Sequence, residues 1–185
     1  EYRNMLDVVL KNQLRNYFKD LDSEYTFDIS VSRIHKKREE LIEILNDVAD
    51  CSPRISCRVN DGKNLEFTLL KDGENTRIKF RSTPNGHEFS SLILAILNGD
   101  GKGKDLPTAG YVERIRSRKG PIRLVTYVSL NYLICSKTVE MLNMFTTINK
   151  QISHEIVDGS INKLEIIDKF IQGLPTIYAN NEILH

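Results

Sequence analysis

Apolar positions recur along the chain with two different periods, and the change from one to the other lays out the elements. Met5, Val8, Val9, Leu14, Phe18 and Leu21 fall at roughly helical spacing, which predicts an opening amphipathic helix. "YTFDISVS" (25–32) then alternates every second residue, the pattern of a strand with one buried face. From His35 to Ala49 the charged run "HKKREE" gives way to Leu41, Ile42, Ile44, Leu45 and Val48, a helix with a solvated first turn and a buried later face. Short strands are predicted at 55–59, 65–70 and 76–80, separated by Asp61-Gly62 and Asp72-Gly73, the second of which suits a tight hairpin. "GHEFSSLILAILNG" follows as a strongly apolar helix closed by Asn98-Gly99.

"GDGKG" (99–103), with Lys104 and Pro107 close behind, combines flexible and helix-stopping residues and marks the internal boundary, dividing the chain into 1–104 and 105–185. It lacks the G-x-x-x-x-G-K-[ST] spacing of a phosphate loop, and Asp105 stands where a magnesium-binding hydroxyl is needed, so a solvated linker is expected. Beyond it come a short helix around 111–118 with the basic outer face "ERIRSRK" and a strand in "GPIRLVTYVSL". "CSKTVEMLNMFTTIN" reads as a helix, and "QISHEIV" as a strand parallel to the first through a right-handed crossover. A helix in "NKLEIIDKFIQ" ends at Gly173, "PTIYA" is a strand, and Asn180-Asn181 turns the chain back. The first half thus reads β-α-β-β-β-α and the second β-α-β-α-β-turn, two related α/β units in tandem.

Charge changes this picture little. A net charge of +1, with acids and bases interspersed, gives no electrostatic case for nucleic acid or a membrane surface as partner. No apolar run approaches the roughly 18 to 20 residues that cross a bilayer, and the start lacks a signal-peptide pattern, so a cytoplasmic location is expected. A first residue other than Met, and an end just past a hairpin turn, suggest a piece of a longer protein. Cys51, Cys57 and Cys135 form no C-x-x-C, and His35, His87, His154 and His185 form no metal-binding motif, so neither a disulfide framework nor a metal is expected.

The stretch with redox character is "TYVSLNYLICSKTVEMLNMF" (126–145), a strand and turn leading to a cysteine at a helix start. A dithiol site of the thioredoxin type needs a sulfur at a helix N-terminus, where free N–H groups favour thiolate, a second sulfur three residues on, and a cis-proline facing them. "GLPTIYANNE" (173–182) supplies a candidate cis Leu174-Pro175 bond. With "GHEFSSLILAIL", "TYVSL", "VEMLNMF" and "ISHEIVDG" in the same order, the chain resembles the N-terminal domain of the flavoprotein subunit of bacterial alkyl hydroperoxide reductase. The likeness is strongest from Gly86 onward.

That resemblance implies two tandem thioredoxin-like folds sharing one core. It places Tyr132 at the attacking-cysteine position, Leu133 and Ile134 between, and Cys135 at the resolving position. A phenol with a pKa near 10 replaces no thiolate and forms no disulfide, so a one-turn dithiol cycle is unavailable. Three states of Cys135 stand open: a buried hydrophobe, a single thiol able to form mixed disulfides, or a partner of Cys51 or Cys57. Glu88 matches an acidic residue that in the family faces the dithiol and modulates its ionisation; interaction with its own helix dipole accounts for its position equally. His87 is expected at a helix start, and His154, on an alternating strand, on a solvent face. Pro175 implies a docking groove, and with Tyr132, Leu133 and Ile134 it would form an apolar patch.

The resemblance further implies FAD, a pyridine nucleotide and another C-x-x-C in a downstream module, with that flavin module and a peroxiredoxin-like peroxidase as protein partners. This chain carries no G-x-G-x-x-G fingerprint for either cofactor. The chain alone is expected to be inactive as a disulfide reductase. The alternative reading is a non-catalytic thioredoxin-fold interaction module.

Overall fold

The computed structural model of the chain describes residues 6–185. The first unit runs α1 (Val8–Phe18), β1 (Tyr25–Val31), α2 (Arg38–Ala49), β2 (Ile55–Asp61), β3 (Leu65–Lys71), β4 (Glu74–Arg81) and α3 (Glu88–Gly99). The second runs α4 (Ala109–Arg116), β5 (Ile122–Val128), α5 (Leu133–Ile148), β6 (Ile152–Asp158), α6 (Lys163–Asp168), β7 (Thr176–Ala179) and β8 (Glu182–Ile183). All the strands among the described residues join one sheet in the order β2-β1-β3-β4-β6-β5-β7-β8. In each unit a parallel βαβ pair is extended by antiparallel strands, so the order β2-β1-β3-β4 repeats as β6-β5-β7-β8. The two quartets meet where β4 runs parallel to β6.

Residue alternation decides which sheet face is dry. Tyr25, Phe27, Ile29 and Val31 share one face of β1 and are buried under α1, α2 and α3 with Phe67, Leu69, Leu45, Leu92 and Ile96. Phe67 stacks on Phe80 with centroids 5.0 Å apart, and the same core continues across the seam to Val128, Cys135, Val139 and Ile156 of the second unit. On the other face the first unit is polar. Asp28 faces Arg58 across β1 and β2 at 2.9 Å, and Glu66 faces Lys79 across β3 and β4 at 3.0 Å. In the second unit this same face carries Val125, Tyr127 and Val157, covered by Ile166 of α6 and by Ile171 and Leu174.

Arg77, at φ 67 on β4, reaches over the seam. Its guanidinium donates to the carbonyls of Thr146, Asn149 and Ile152 at 2.8, 3.1 and 2.5 Å, satisfying backbone groups where α5 ends and turns into β6.

Several elements depart from expectation. Met5 lies outside the described residues; Val8 and Val9 are 71% and 68% exposed because the helix starts at Val8, where the Asp7 carboxylate caps Leu10 N–H at 2.8 Å, and the buried stripe is Leu14 and Phe18. The α3 helix does end at Gly99, and beyond it Gly101, at φ +75, lets Lys102 N–H bond to Leu97 O and Gly101 N–H to Asn98 O, a Schellman end. The α6 helix stops at Asp168, and Phe170 takes a positive φ of 53.

The expectation of a solvent-facing His154 is overturned. His154 shares its sheet face with Ile152 and Ile156 beneath α5 and is 1% exposed, whereas Ser153 and Glu155 take the wetter face. Its Nε2 lies 2.7 Å from Thr126 Oγ1 and its Nδ1 2.7 Å from Asn143 Oδ1. With both ring nitrogens bonded inside the protein, burial pushes its pKa down to about 3.

Candidate functional site

The site forms where β5 hands over to α5, at the sheet end where the strands' carboxyl termini point. Ser129 O accepts from Tyr132 N–H at 3.2 Å and Tyr132 O from Cys135 N–H at 3.1 Å, winding residues 129–135 into the start of the helix. Tyr132 is the N-cap residue, in extended conformation and without a capping side-chain bond. Tyr132, Leu133 and Ile134 point outward at 54%, 56% and 66% exposure, whereas Cys135, one turn in, is fully buried among Val128, Val139 and Ile156. Burial pushes the Cys135 thiol up, the Ser129 backbone works against that shift, and the charge of Glu88 adds to it. At neutral pH Cys135 is therefore a protonated thiol walled off from solvent.

The first unit contributes the lid. Gly86 has φ +58, and a Cβ there would sit 2.4 Å from Leu130 O, so only glycine permits this approach. His87, exposed at the start of α3, donates its N–H to the same Leu130 carbonyl at 3.0 Å. Glu88 is thereby turned inward; it is fully buried and neither carboxylate oxygen has a hydrogen-bond partner. Burial pushes its pKa up to about 7, the nearby Ser91 hydroxyl partly offsetting this and the charges of Glu140 and Asp158 adding to it. The dipole of α3 favours an ionised Glu88, but that interaction is worth at most about 2 kcal/mol and burial outweighs it.

The Leu174-Pro175 peptide bond is cis, as is Gly120-Pro121. Leu174 packs against the core cluster that contains Cys135 and lies 3.5 Å from where a Gly159 Cβ would be, while Gly159 N–H bonds to Val128 O at 3.0 Å. The ends of β5 and β6, the start of α5 and the segment before Pro175 are thus drawn to one place. Tyr132, Cys135, Glu88 and Pro175 all come from elements that meet there.

All three cysteines are free thiols, which removes the pairing of Cys135 with Cys51 or Cys57. Cys51 Sγ donates to Asp47 O at 3.3 Å, and Cys57 lies on β2 at the far edge of the sheet, its thiol pushed up to about 12 by burial and then by Asp50. Among the described residues no cluster of His, Cys, Asp and Glu could hold a metal, and no helix is long and apolar enough to cross a membrane. The glycine loop fits no nucleotide phosphate: Asn98 Oδ1 accepts from Lys104 N–H at 2.8 Å and would lie 1.8 Å from a Cβ at Gly103, so the loop is folded onto the end of α3.

Two residues of this neighbourhood were not picked out by sequence pattern. Glu140, on the inner side of α5, is bound by Lys104 Nζ at 2.9 Å and by Ser90 Oγ at 3.3 Å, tying the linker and α3 to α5. Asp158 is 2% exposed and accepts from both the backbone and the hydroxyl of Ser160. The Asp158-Gly-Ser160 run at the strand end was the available signal for the second.

Two thioredoxin-like α/β folds in tandem, built on one continuous mixed sheet, define the class of protein, in agreement with the fold expected from the sequence. Within that class the chain matches the N-terminal thioredoxin-like domain of the flavoprotein component of alkyl hydroperoxide reductase, the AhpF family. The AhpF-type alkyl hydroperoxide reductase of Pseudomonas aeruginosa is 31% identical over 181 residues, covering 97% of this chain and 34% of that protein. A protein named NADH dehydrogenase from Ferdinandcohnia aciditolerans is 30% identical over 179 residues, covering 96% and 34%. The crystal structure of the N-terminal domain of alkyl hydroperoxide reductase AhpF from Enterococcus faecalis superposes with a TM-score of 0.88 at 24% identity, covering 97% of this chain and 93% of that one. The chain spans about a third of the length of the curated relatives it matches. No family model matches it.

Proposed function

We propose that this chain is the N-terminal module of a flavin-dependent disulfide or peroxide oxidoreductase whose own dithiol relay has been lost. The carrying observation is Tyr132 at the N-cap of α5, where an attacking sulfur would stand, with Cys135 sealed behind it. On this reading Tyr132 occupies the vacated nucleophile position and Cys135 the resolving position, Glu88 holds the neighbouring thiol protonated, and Pro175 flanks the groove. The first fold is residues 1–104 and the second 105–185.

FAD and a pyridine nucleotide belong to a downstream module of the parent, which would supply hydride and electron chemistry; this chain's residues meet that module and a peroxiredoxin-like peroxidase as a cytosolic docking partner. Loss of the relay means that electrons bypass residues 132–135. The exposed Tyr132, Leu133 and Ile134 favour one second reading, a non-catalytic module that binds protein through this patch.

Titration of the folded chain with a chromogenic thiol reagent tests the first point. Cys135 should react only after denaturation, and labelling of Cys135 at the rate of a free thiol in the native state would refute a sealed, relic site. The gene beyond His185 separates the two readings. A nucleotide-binding module with its own C-x-x-C supports the oxidoreductase parent, and an unrelated domain supports the binding module.

A further inference from the structure

At the solvent-facing end of the seam lies a cleft of about 550 Å³ that none of the chemistry above uses. The β1–α2 turn forms one wall with Ile34, Lys36 and Lys37, Lys63 of the β2–β3 turn stands beside it, and Lys163 and Leu164 at the start of α6 form the opposite wall. Among the described residues no carboxylate lines it. Lys37 is paired with Glu40 at 3.3 Å, whereas Lys36, Lys63 and Lys163 make no ion pair among the described residues. In a chain of net charge +1 this is a local concentration of positive potential, focused by a concave surface.

The cleft is also apolar. Ile34 is 92% and Leu164 77% exposed, facing the same space from two different units. A single exposed aliphatic side chain means little, but two on opposite walls of a basic cleft form a patch with a preferred occupant. Bare phosphate has nothing to gain from Ile34 and Leu164, and no arginine fork lines the cleft to grip it bidentately. Single-stranded nucleic acid would need a succession of stacking rings, and among the described residues the cleft offers the His35 imidazole alone, with no Phe, Tyr or Trp. A peptide that carries carboxylates beside a large apolar side chain complements both properties at once.

We propose that this cleft receives an acidic linear segment of a protein partner, its carboxylates against Lys36, Lys63 and Lys163 and an apolar side chain between Ile34 and Leu164. The site involves neither Cys135 nor Tyr132, so it stands or falls separately from the proposed parent enzyme.

The test uses the whole chain and a short fluorescein-labelled peptide of glutamates flanking a central leucine-phenylalanine pair, followed by fluorescence anisotropy at low ionic strength. Saturable binding with a Kd below about 100 µM is expected, weakened roughly ten-fold by Lys36→Glu with Lys163→Glu and similarly by Ile34→Ser with Leu164→Ser. In the wild type, amide NMR shifts on peptide addition should be confined to residues 32–37, 63 and 160–164, a readout that needs no variant to fold. Absence of saturation, shifts elsewhere, variants that bind as well as wild type, or equal binding by the glutamine counterpart of the peptide or by tripolyphosphate would each overturn the assignment.

Discussion

The same register row crosses both units on one face of the sheet, and its character reverses at the seam. In the first unit the row runs Arg58, Asp28, Thr68 and Lys79; past the junction it continues through Glu155 to Val125 and Tyr178. The cause is one connection. Between β2 and β3 the first unit has only a short turn at Gly62, so no described helix from that connection covers that face, whereas between β6 and β7 the second unit inserts α6 and the segment to Leu174. Strand composition follows: β1 alternates buried and half-buried residues, while β5 is buried continuously from Leu124 to Val128. One topology therefore tolerates a wet sheet face or a dry one, and Leu174, just before Pro175, packs against both the dry face and the core that holds Cys135.

The largest expected effect is on the dry face. Tyr127 is 2% exposed and packs edge-on against Tyr178 at 5.8 Å, so Tyr127→Ala should cost about 4 kcal/mol in denaturant unfolding. If the loss were under about 1 kcal/mol, α6 would not be closing that face.

Next come Glu88 and His154, two buried titratable groups with opposite pH slopes. Glu88 is raised from 4.5 to about 7, so the folded chain holds a proton there that the unfolded chain has lost. Its contribution is present in full below pH 4.5 and is lost as the pH rises through 7. Glu88→Gln should accordingly stabilise the fold by about 2–3 kcal/mol at pH 8.5 and by almost nothing at pH 4. His154 is lowered from 6.5 to about 3, so on acidification the unfolded chain takes up a proton that the folded chain refuses. Stability should fall as the pH drops from 6.5 toward 3, and His154→Gln should remove that slope in urea titrations at a series of pH values.

The smallest effect belongs to the wet face. Asp28 pairs with Arg58, whose side chain is 58% exposed, so Asp28→Ala should shift stability by less than about 1 kcal/mol, and less still in high salt.

Most of the architecture was legible because strand alternation and turn chemistry are local. The Asp72-Gly73 hairpin formed with positive φ at both residues, and the β5-α5-β6 unit closed as a parallel pair. What stayed hidden depends on contacts between units. His154 takes the register of Ile152 and Ile156, the buried face of an alternating strand, and only the packing of α5 over it, with Asn143 and Thr126 supplying bonds, reveals how a polar ring is held there. Arg77 looked like one more charge on a strand, although its hydrogen bonds end on α5 and β6 of the other unit. At the site, the place given to Cys135 is what the family resemblance implies, and the inward turn of Glu88 depends on the close approach of Gly86 to Leu130. In "HKKREE" the helix with a solvated first turn was visible, and the facing wall from Lys163 and Leu164 was not.

If a dithiol frame persists here with its leading sulfur replaced by a phenol, restoring that sulfur should restore the chemistry. Insulin reduction by the chain, beside its Tyr132→Cys variant under the same dithiothreitol supply, measures this head-on. The wild type should give no acceleration above the reductant alone, and the variant should form a disulfide to Cys135 and show measurable turnover. Turnover by the wild type, or a folded variant unable to join its new thiol to Cys135, would refute the persistence of that frame.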